Sequence, residues 1–177
     1  LGIGIASVRA GNVIGGGDWA DDRLIPDILR SFQKNKPVII RNPKSTRPWQ
    51  HVLEPLSGYL VLAQKLYNNK EYSDGWNFGP KESDVMPVDW ILNKMKKEWP
   101  DSSWSLDKDS SPHEAGFLKL DISKAEYKLG WKPIWSLSDT LKKIILWHNA
   151  WKNNEDMQAI CLAEIEEYMK EMNNEKC

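Results

Sequence analysis

Cysteine is scarce in this chain: Cys161 and Cys177 are the only two, both toward the C-terminal end. Two thiols so placed do not make a disulfide framework, and such sparse use fits a reducing cytoplasm. Long apolar runs are missing as well. Nothing approaches the ~20 residues that a membrane-spanning helix needs. The short first apolar segment, Ile3 to Val8, lacks the preceding basic stretch of a cleavable signal. Neither sign of charge is in excess, with 24 Lys plus Arg against 25 Asp plus Glu and a net charge of −1. That balance leaves no basic footprint for nucleic acid and no polybasic block for a membrane surface. Metal and nucleophile signatures are equally missing. No His/Cys/Asp grouping has zinc spacing, and there is no G-x-S-x-G.

What the chain does contain is ten tryptophans and ten prolines in 177 residues, which reads as a rigid, aromatic-lined surface rather than disorder. It opens on Leu1 without a Met and runs at once into strand-like residues, so it is expected to be part of something longer. Ile3 to Val8 reads as a buried β-branched strand. Leu24, Ile25, Ile28, Leu29 and Phe32 recur at helical spacing between Arg23 and Lys34, with Asp22 as N-cap and Pro26 in the first turn. A strand at 37–41, a Pro-punctuated loop at 42–50, a helix over 54–67 and a strand at 75–80 follow. After residue 80 the texture becomes a smaller mixed lobe. It has helices near 88–99, 123–129 and 137–152, a strand at 117–120, and a last acidic amphipathic helix over 155–172. Strands alternating with helices give an α/β fold.

The stretch "GGGDWA" from Gly15 to Ala20 satisfies G-x-G-x-x-A between a strand and a helix, the outline of a dinucleotide fingerprint. Three features oppose that reading. Asp18, Asp21 and Asp22 put negative charge where a pyrophosphate would sit, Trp19 is bulky where backbone must approach phosphate, and Arg41 replaces the acidic ribose partner after the next strand. A loop at a strand end, or a substrate loop at the carboxyl edge of a sheet, are the alternatives. Arg9, Arg23, Arg41 and Arg47 stand at element boundaries in the same unit, and guanidinium forks match phosphate oxygens. Solvated surface arginines are the bland counterpart. Asn12 and Asn77 carry amides able to bond a phosphate or a sugar hydroxyl, or simply to form turns. Trp49 reads as an anchor for the loop holding Arg47, and His148 as structural. His51 is undecided, and His113 with Glu114 forms a possible acid/base pair.

In order, "RAGNVIGGGDWADDRLIPDIL", "PVIIRNPKSTRPWQHVLEPLSGYLVLAQKLY", "GWNFGP" and "SPHEAGFLKLDISKAEYKLGWKP" closely resemble the C-terminal half of CDP-glucose 4,6-dehydratases. These are extended short-chain dehydrogenase/reductases acting on nucleotide sugars, and the likeness covers nearly all of residues 1–153. The resemblance implies the C-terminal part of a Rossmann fold over residues 1–80, interleaved with substrate-binding segments at about 12–50. A substrate-binding lobe at 81–153 and a C-terminal helix at 154–177 would follow. It implies NAD as cofactor, with Ala10 and Asn12 beside the nicotinamide, and CDP-glucose as substrate. Asn12 would bond the diphosphate, Arg23 and Leu24 would line the nucleotide pocket, and Ile39 and Arg41 would flank the base. Arg47 would pair with a phosphate, while Asn77 and His113 would close over the nucleotide; the "PHEAGFLKLD" loop lacks the paired arginines of many dTDP-sugar relatives.

The implied reaction converts CDP-glucose to CDP-4-keto-6-deoxyglucose with loss of water, in deoxysugar biosynthesis for lipopolysaccharide O-antigen. The family's glycine fingerprint, its Tyr-x-x-x-Lys and its elimination carboxylates have no counterpart in this sequence. No catalytic residue is therefore expected here, and the chain alone is expected to be inactive. A cytoplasmic homo-oligomer is expected when full length. The competing readings are another nucleotide-sugar dehydratase or epimerase, and a non-catalytic sugar-nucleotide binding module.

Overall fold

The structure, a computed structural model, describes residues 2–107 and 116–174. Among the described residues, four two-stranded ladders alternate with five α-helices. Strand β1 (Ser7–Ala10) pairs in parallel with β6 (Gly75–Phe78), and β2 (Asn12–Ile14) in parallel with β5 (Trp49–His51). Parallel β3 (Val38–Ile40) and β8 (Trp104–Leu106) form a third ladder, and antiparallel β4 (Thr46–Arg47) and β7 (Met86–Pro87) a fourth. The helices are α1 (Leu24–Gln33), α2 (Leu53–Asn68), α3 (Val88–Met95), α4 (Leu137–Lys152) and α5 (Met157–Asn174).

The helical periodicities hold because each places a row of apolar residues on one side. Ile25, Ile28, Leu29 and Phe32 of α1 are buried, as are Ile91, Leu92 and Met95 of α3. With Val38 and Ile40 of β3 and Leu137, Leu141 and Ile144 of α4 they make one core. A second core gathers Leu62 of α2, Trp76 and Phe78 of β6, and Ala125, Leu129 and Trp131. Both draw on residues from either side of position 80.

Several local expectations are corrected. The first strand is Ser7–Ala10, and Ile3 and Ile5 ahead of it are exposed, because no neighbour covers them among the described residues. Arg23, not Asp22, is the N-cap of α1, and no side chain caps it; Asp22 is held in the left-handed region at φ 57°. The Pro-punctuated loop contains β4 and β5, since Pro43 and Pro48 fall outside the paired residues. Phe117 makes one bridge, to Thr46, instead of a strand, and Ala125–Leu129 winds as a π-helical turn ended by left-handed Gly130. Four of the ten tryptophans, Trp49, Trp76, Trp131 and Trp135, are buried, while Trp19 and Trp151 are exposed. Wide rings fill the space between short ladders that aliphatic side chains would leave open.

Helix α5 buries only Tyr168 and is seated by polar contacts. The Tyr168 hydroxyl donates to Glu54 Oε2 at 2.8 Å and lies 2.9 Å from Ser57 Oγ. Trp135 Nε1 donates to Glu171 at 3.0 Å, and Lys143 pairs with Glu167 at 2.8 Å. Glu164 lies 3.4 Å from Nε2 of His51, which is 1% exposed.

Burial, reinforced by the charge of Lys143, lowers the His51 pKa from 6.5 to about 4. The folded state therefore resists a proton that the unfolded chain takes up near 6.5. Stability from this group is complete above that pH and is lost on acidification toward 4, by up to about 3 kcal/mol. His148, also lowered by burial, acts in the same direction, whereas Glu54 and Glu164, raised by burial, oppose it. His51→Gln is expected to unfold with a flatter dependence on pH between 6.5 and 4 than the parent chain. Equal slopes in denaturant titrations would show that His51 is not the titrating group.

Candidate functional site

Strand β1 ends at Ala10, and the chain bends through Gly11 into β2. The Gly11 amide donates to the Phe78 carbonyl at 3.1 Å and the Asn12 amide to the Pro48 carbonyl at 2.8 Å. A Cβ on Gly11 would collide with that Pro48 oxygen, so the bend requires glycine. Asn12 is thereby set at the mouth of a cavity of about 460 Å³. Its walls are the start of α1, carrying Arg23 and Leu24, the end of β3, carrying Ile39 and Arg41, and Arg47 of β4. Six of the residues singled out in the sequence thus meet around one space.

Ala10 and Asn77 do not line it. Ala10 is half-buried at the end of β1, two residues before Asn12. Asn77, on β6 opposite Arg9, donates through Nδ2 to the Asp121 carbonyl at 3.0 Å. His113 and Glu114 lie outside the described residues. His51 and His148 are buried; His148 contacts Gln33, which fits a structural role. Asn42 and Ser45 line the cavity and were not singled out. Their loop was legible as a loop, but small polar side chains carry no spacing signal that tells a wall from a turn.

Charge at the mouth is paired. Arg23 meets Asp18 and Arg41 meets Asp22, each at 3.3 Å and each exposed, while Arg30 reaches Asp21 at 3.3 Å and the carbonyls of Trp19 and Ala20. The aspartates that seemed to repel an anion are therefore neutralised by the arginines that could bind one. Exposed pairs of this kind contribute about 0–1 kcal/mol and can be exchanged for another anion. Arg47 is half-buried and its Nη1 donates to the Thr46 carbonyl at 3.0 Å.

The glycine loop is occupied by protein. A Cβ on Gly16 would enter the Trp147 ring of α4, and Gly17 turns at φ 75°. Trp19 lies 4.4 Å from Trp151 between ring centroids and 6.1 Å from Trp147. These glycines admit an indole, and the space a pyrophosphate needs is filled, so Gly15 to Ala20 does not fit a dinucleotide. Among the described residues no His/Cys/Asp/Glu group could hold a metal ion, and no helix is long and apolar enough to cross a membrane.

No protein-family model matches the chain. It is 61% identical over 170 residues to CDP-glucose 4,6-dehydratase of Salmonella typhimurium, a match covering 95% of this chain and 47% of that protein. The likeness to CDP-glucose 4,6-dehydratases is borne out. A more distant relative, UDP-glucuronic acid decarboxylase 1 of Xenopus tropicalis, is 25% identical over 127 residues, 71% of this chain and 28% of that protein. The chain spans about half the length of the Salmonella dehydratase that it matches. Among solved structures, UDP-glucuronic acid 4-epimerase of Bacillus cereus, in complex with UDP-glucuronic acid and NAD, superposes with a TM-score of 0.66 at 24% identity. That match covers 80% of this chain and 44% of the epimerase. UDP-glucose-4-epimerase of Stenotrophomonas maltophila, with bound NAD, gives 0.71 at 17% identity, covering 85% and 49% of the two chains. The fold is the α/β, Rossmann-type fold of these epimerases.

Gly16→Ala is expected to destabilise the chain by about 1–3 kcal/mol through overpacking against Trp147, with a shift in indole fluorescence. Unchanged stability in denaturant titrations would mean that the loop stands off the helix and is open to a ligand.

Proposed function

We propose that this chain forms the substrate side of a CDP-glucose 4,6-dehydratase, a lyase that converts CDP-glucose to CDP-4-keto-6-deoxyglucose. The observation that carries the reading is the meeting of Asn12, Arg23, Leu24, Ile39, Arg41 and Arg47 on one cavity. The 61% identity to a dehydratase of that name supports it.

In this reading the exposed Arg23 and Arg41 leave Asp18 and Asp22 as the nucleotide enters. Arg47 and the Asn12 side-chain amide hold the diphosphate, where charge-assisted bonds are about twice as strong as neutral ones. The exposed Ile39 presents an apolar face to the base, and the Arg41 guanidinium stacks on it. Leu24 lines the nucleotide pocket with Arg23, and residues 81–153 form the substrate-binding lobe. Asn77 and the His113 segment remain assigned to closure over the nucleotide.

The net change is loss of one water, with C4 of the hexose oxidised and C6 reduced. Bound NAD would supply the hydride acceptor and donor that this internal exchange needs. The complexes of the two epimerases with NAD support that cofactor. Only Ala10 and Asn12 are assigned to its edge, so this chain's own contribution is to bind and orient the substrate. The reading includes a cytoplasmic homo-oligomer, a dimer or tetramer, working in O-antigen deoxysugar synthesis.

Calorimetric titration is expected to rank CDP-glucose above UDP-, dTDP- and GDP-glucose, with Arg47→Ala weakening CDP-glucose by about 2 kcal/mol. Equal affinity for all four nucleotides would overturn the substrate assignment, and unchanged affinity in Arg47→Ala would remove that residue from the site. With NAD present, the chain alone is expected to release no dehydrated product by mass spectrometry. Sedimentation velocity reads the oligomeric state.

A further inference from the structure

Two consecutive residues of β5 each carry a buried polar atom without a hydrogen-bond partner among the described residues: Trp49 Nε1 and Gln50 Oε1. Both residues are buried, and Trp49 lines the cavity. Buried acceptors and donors left unmet oppose folding, so a strand that accumulates them invites an explanation other than stability.

Gln50 offers one. It is 2% exposed and stands opposite Val13 in the β2–β5 register. Its Nε2 donates to the Phe78 carbonyl at 2.8 Å. That same carbonyl accepts the Gly11 amide. One oxygen at the end of β6 thus receives both the bend that leads to Asn12 and a side chain from the strand beneath it. The β1–β6 ladder and the β2–β5 ladder have no common strand. The Gln50 amide ties one to the other at the point where the chain crosses between them. An apolar side chain of similar volume would fill the space without leaving Oε1 unmet, yet it could not hold the crossing.

We propose that Gln50 is a positioning residue: its amide fixes the Gly11–Asn12 bend so that the Asn12 side chain meets the diphosphate of the bound sugar nucleotide. This rests on the assignment of Asn12 to the substrate site. The loss from freeing one such hydrogen bond is expected to reach about tenfold in affinity.

The test is a double-mutant cycle on the chain, read by CDP-glucose titration and by denaturant unfolding. Gln50→Leu is expected to weaken CDP-glucose about tenfold while unfolding no more easily than the parent. In the Asn12→Ala background the same change is expected to have no further effect on affinity. Full affinity in Gln50→Leu, or additive losses in the double variant, would overturn the proposal while leaving Asn12 in the site. Full affinity in Asn12→Ala would instead overturn the placement of Asn12, and the proposal with it. Gln50→Met is the second apolar variant. If both unfold, the amide is held for stability and the positioning role falls.

Discussion

Glu54 is fully buried at the first turn of α2, where its oxygens accept the amides of Ile134 and Trp135 and the hydroxyl of Tyr168. Burial pushes its carboxyl upward in pKa, and these donors oppose that shift. Tyr168 in turn meets Ser57, which also accepts the Trp131 indole at 2.9 Å. One acidic side chain therefore sets the start of α2, the segment that leads into α4, and the seat of α5. Removing it would leave several buried donors unmet at once, a larger penalty than the loss of any one bond.

The cavity depends on that arrangement at a distance. Position α4 and Trp147 follows; Trp147 supports Gly16, and the loop it supports carries Asp18 and Asp22 to the cavity mouth. The buried polar network lies outside the cavity, yet the wall is fixed through it. A fold shared with epimerases at 17% and 24% identity does not by itself select a substrate. In the proposed reading that selection falls to the residues on this wall.

Much of this was legible in order along the chain. Helices α1, α2 and α4 announce themselves because a buried face repeats at a period that composition cannot hide, and β6 because Gly79 and Pro80 stop it. Asn12, Arg23, Arg41 and Arg47 stand out as amide or charged side chains at element boundaries, whereas Leu24, Ile39 and the role of each residue come only from the resemblance to CDP-glucose 4,6-dehydratases. What could not be read depends on neighbours distant in sequence. The loop at 42–50 becomes β4 and β5 only because β7 and β2 lie alongside. The aspartates and Trp19 already oppose a phosphate loop at Gly15–Ala20, but that Trp147, far along the chain, packs on Gly16 is not readable from the segment itself. Gln50 looked like an ordinary polar residue in a loop, since nothing in its own segment says that Phe78 is overhead.

The pairing of Arg23 with Asp18 and of Arg41 with Asp22 has a consequence for how a ligand arrives. Each cation at the mouth already carries its own counter-charge, so the surface around the cavity projects little net field. A highly charged anion gains no long-range attraction from it and is not concentrated there ahead of a less charged one. In the proposed reading, discrimination is deferred to contact, when a carboxylate is exchanged for phosphate oxygens at the right spacing. A mouth of this kind would leave polyphosphates unattracted at a distance until one of them fits.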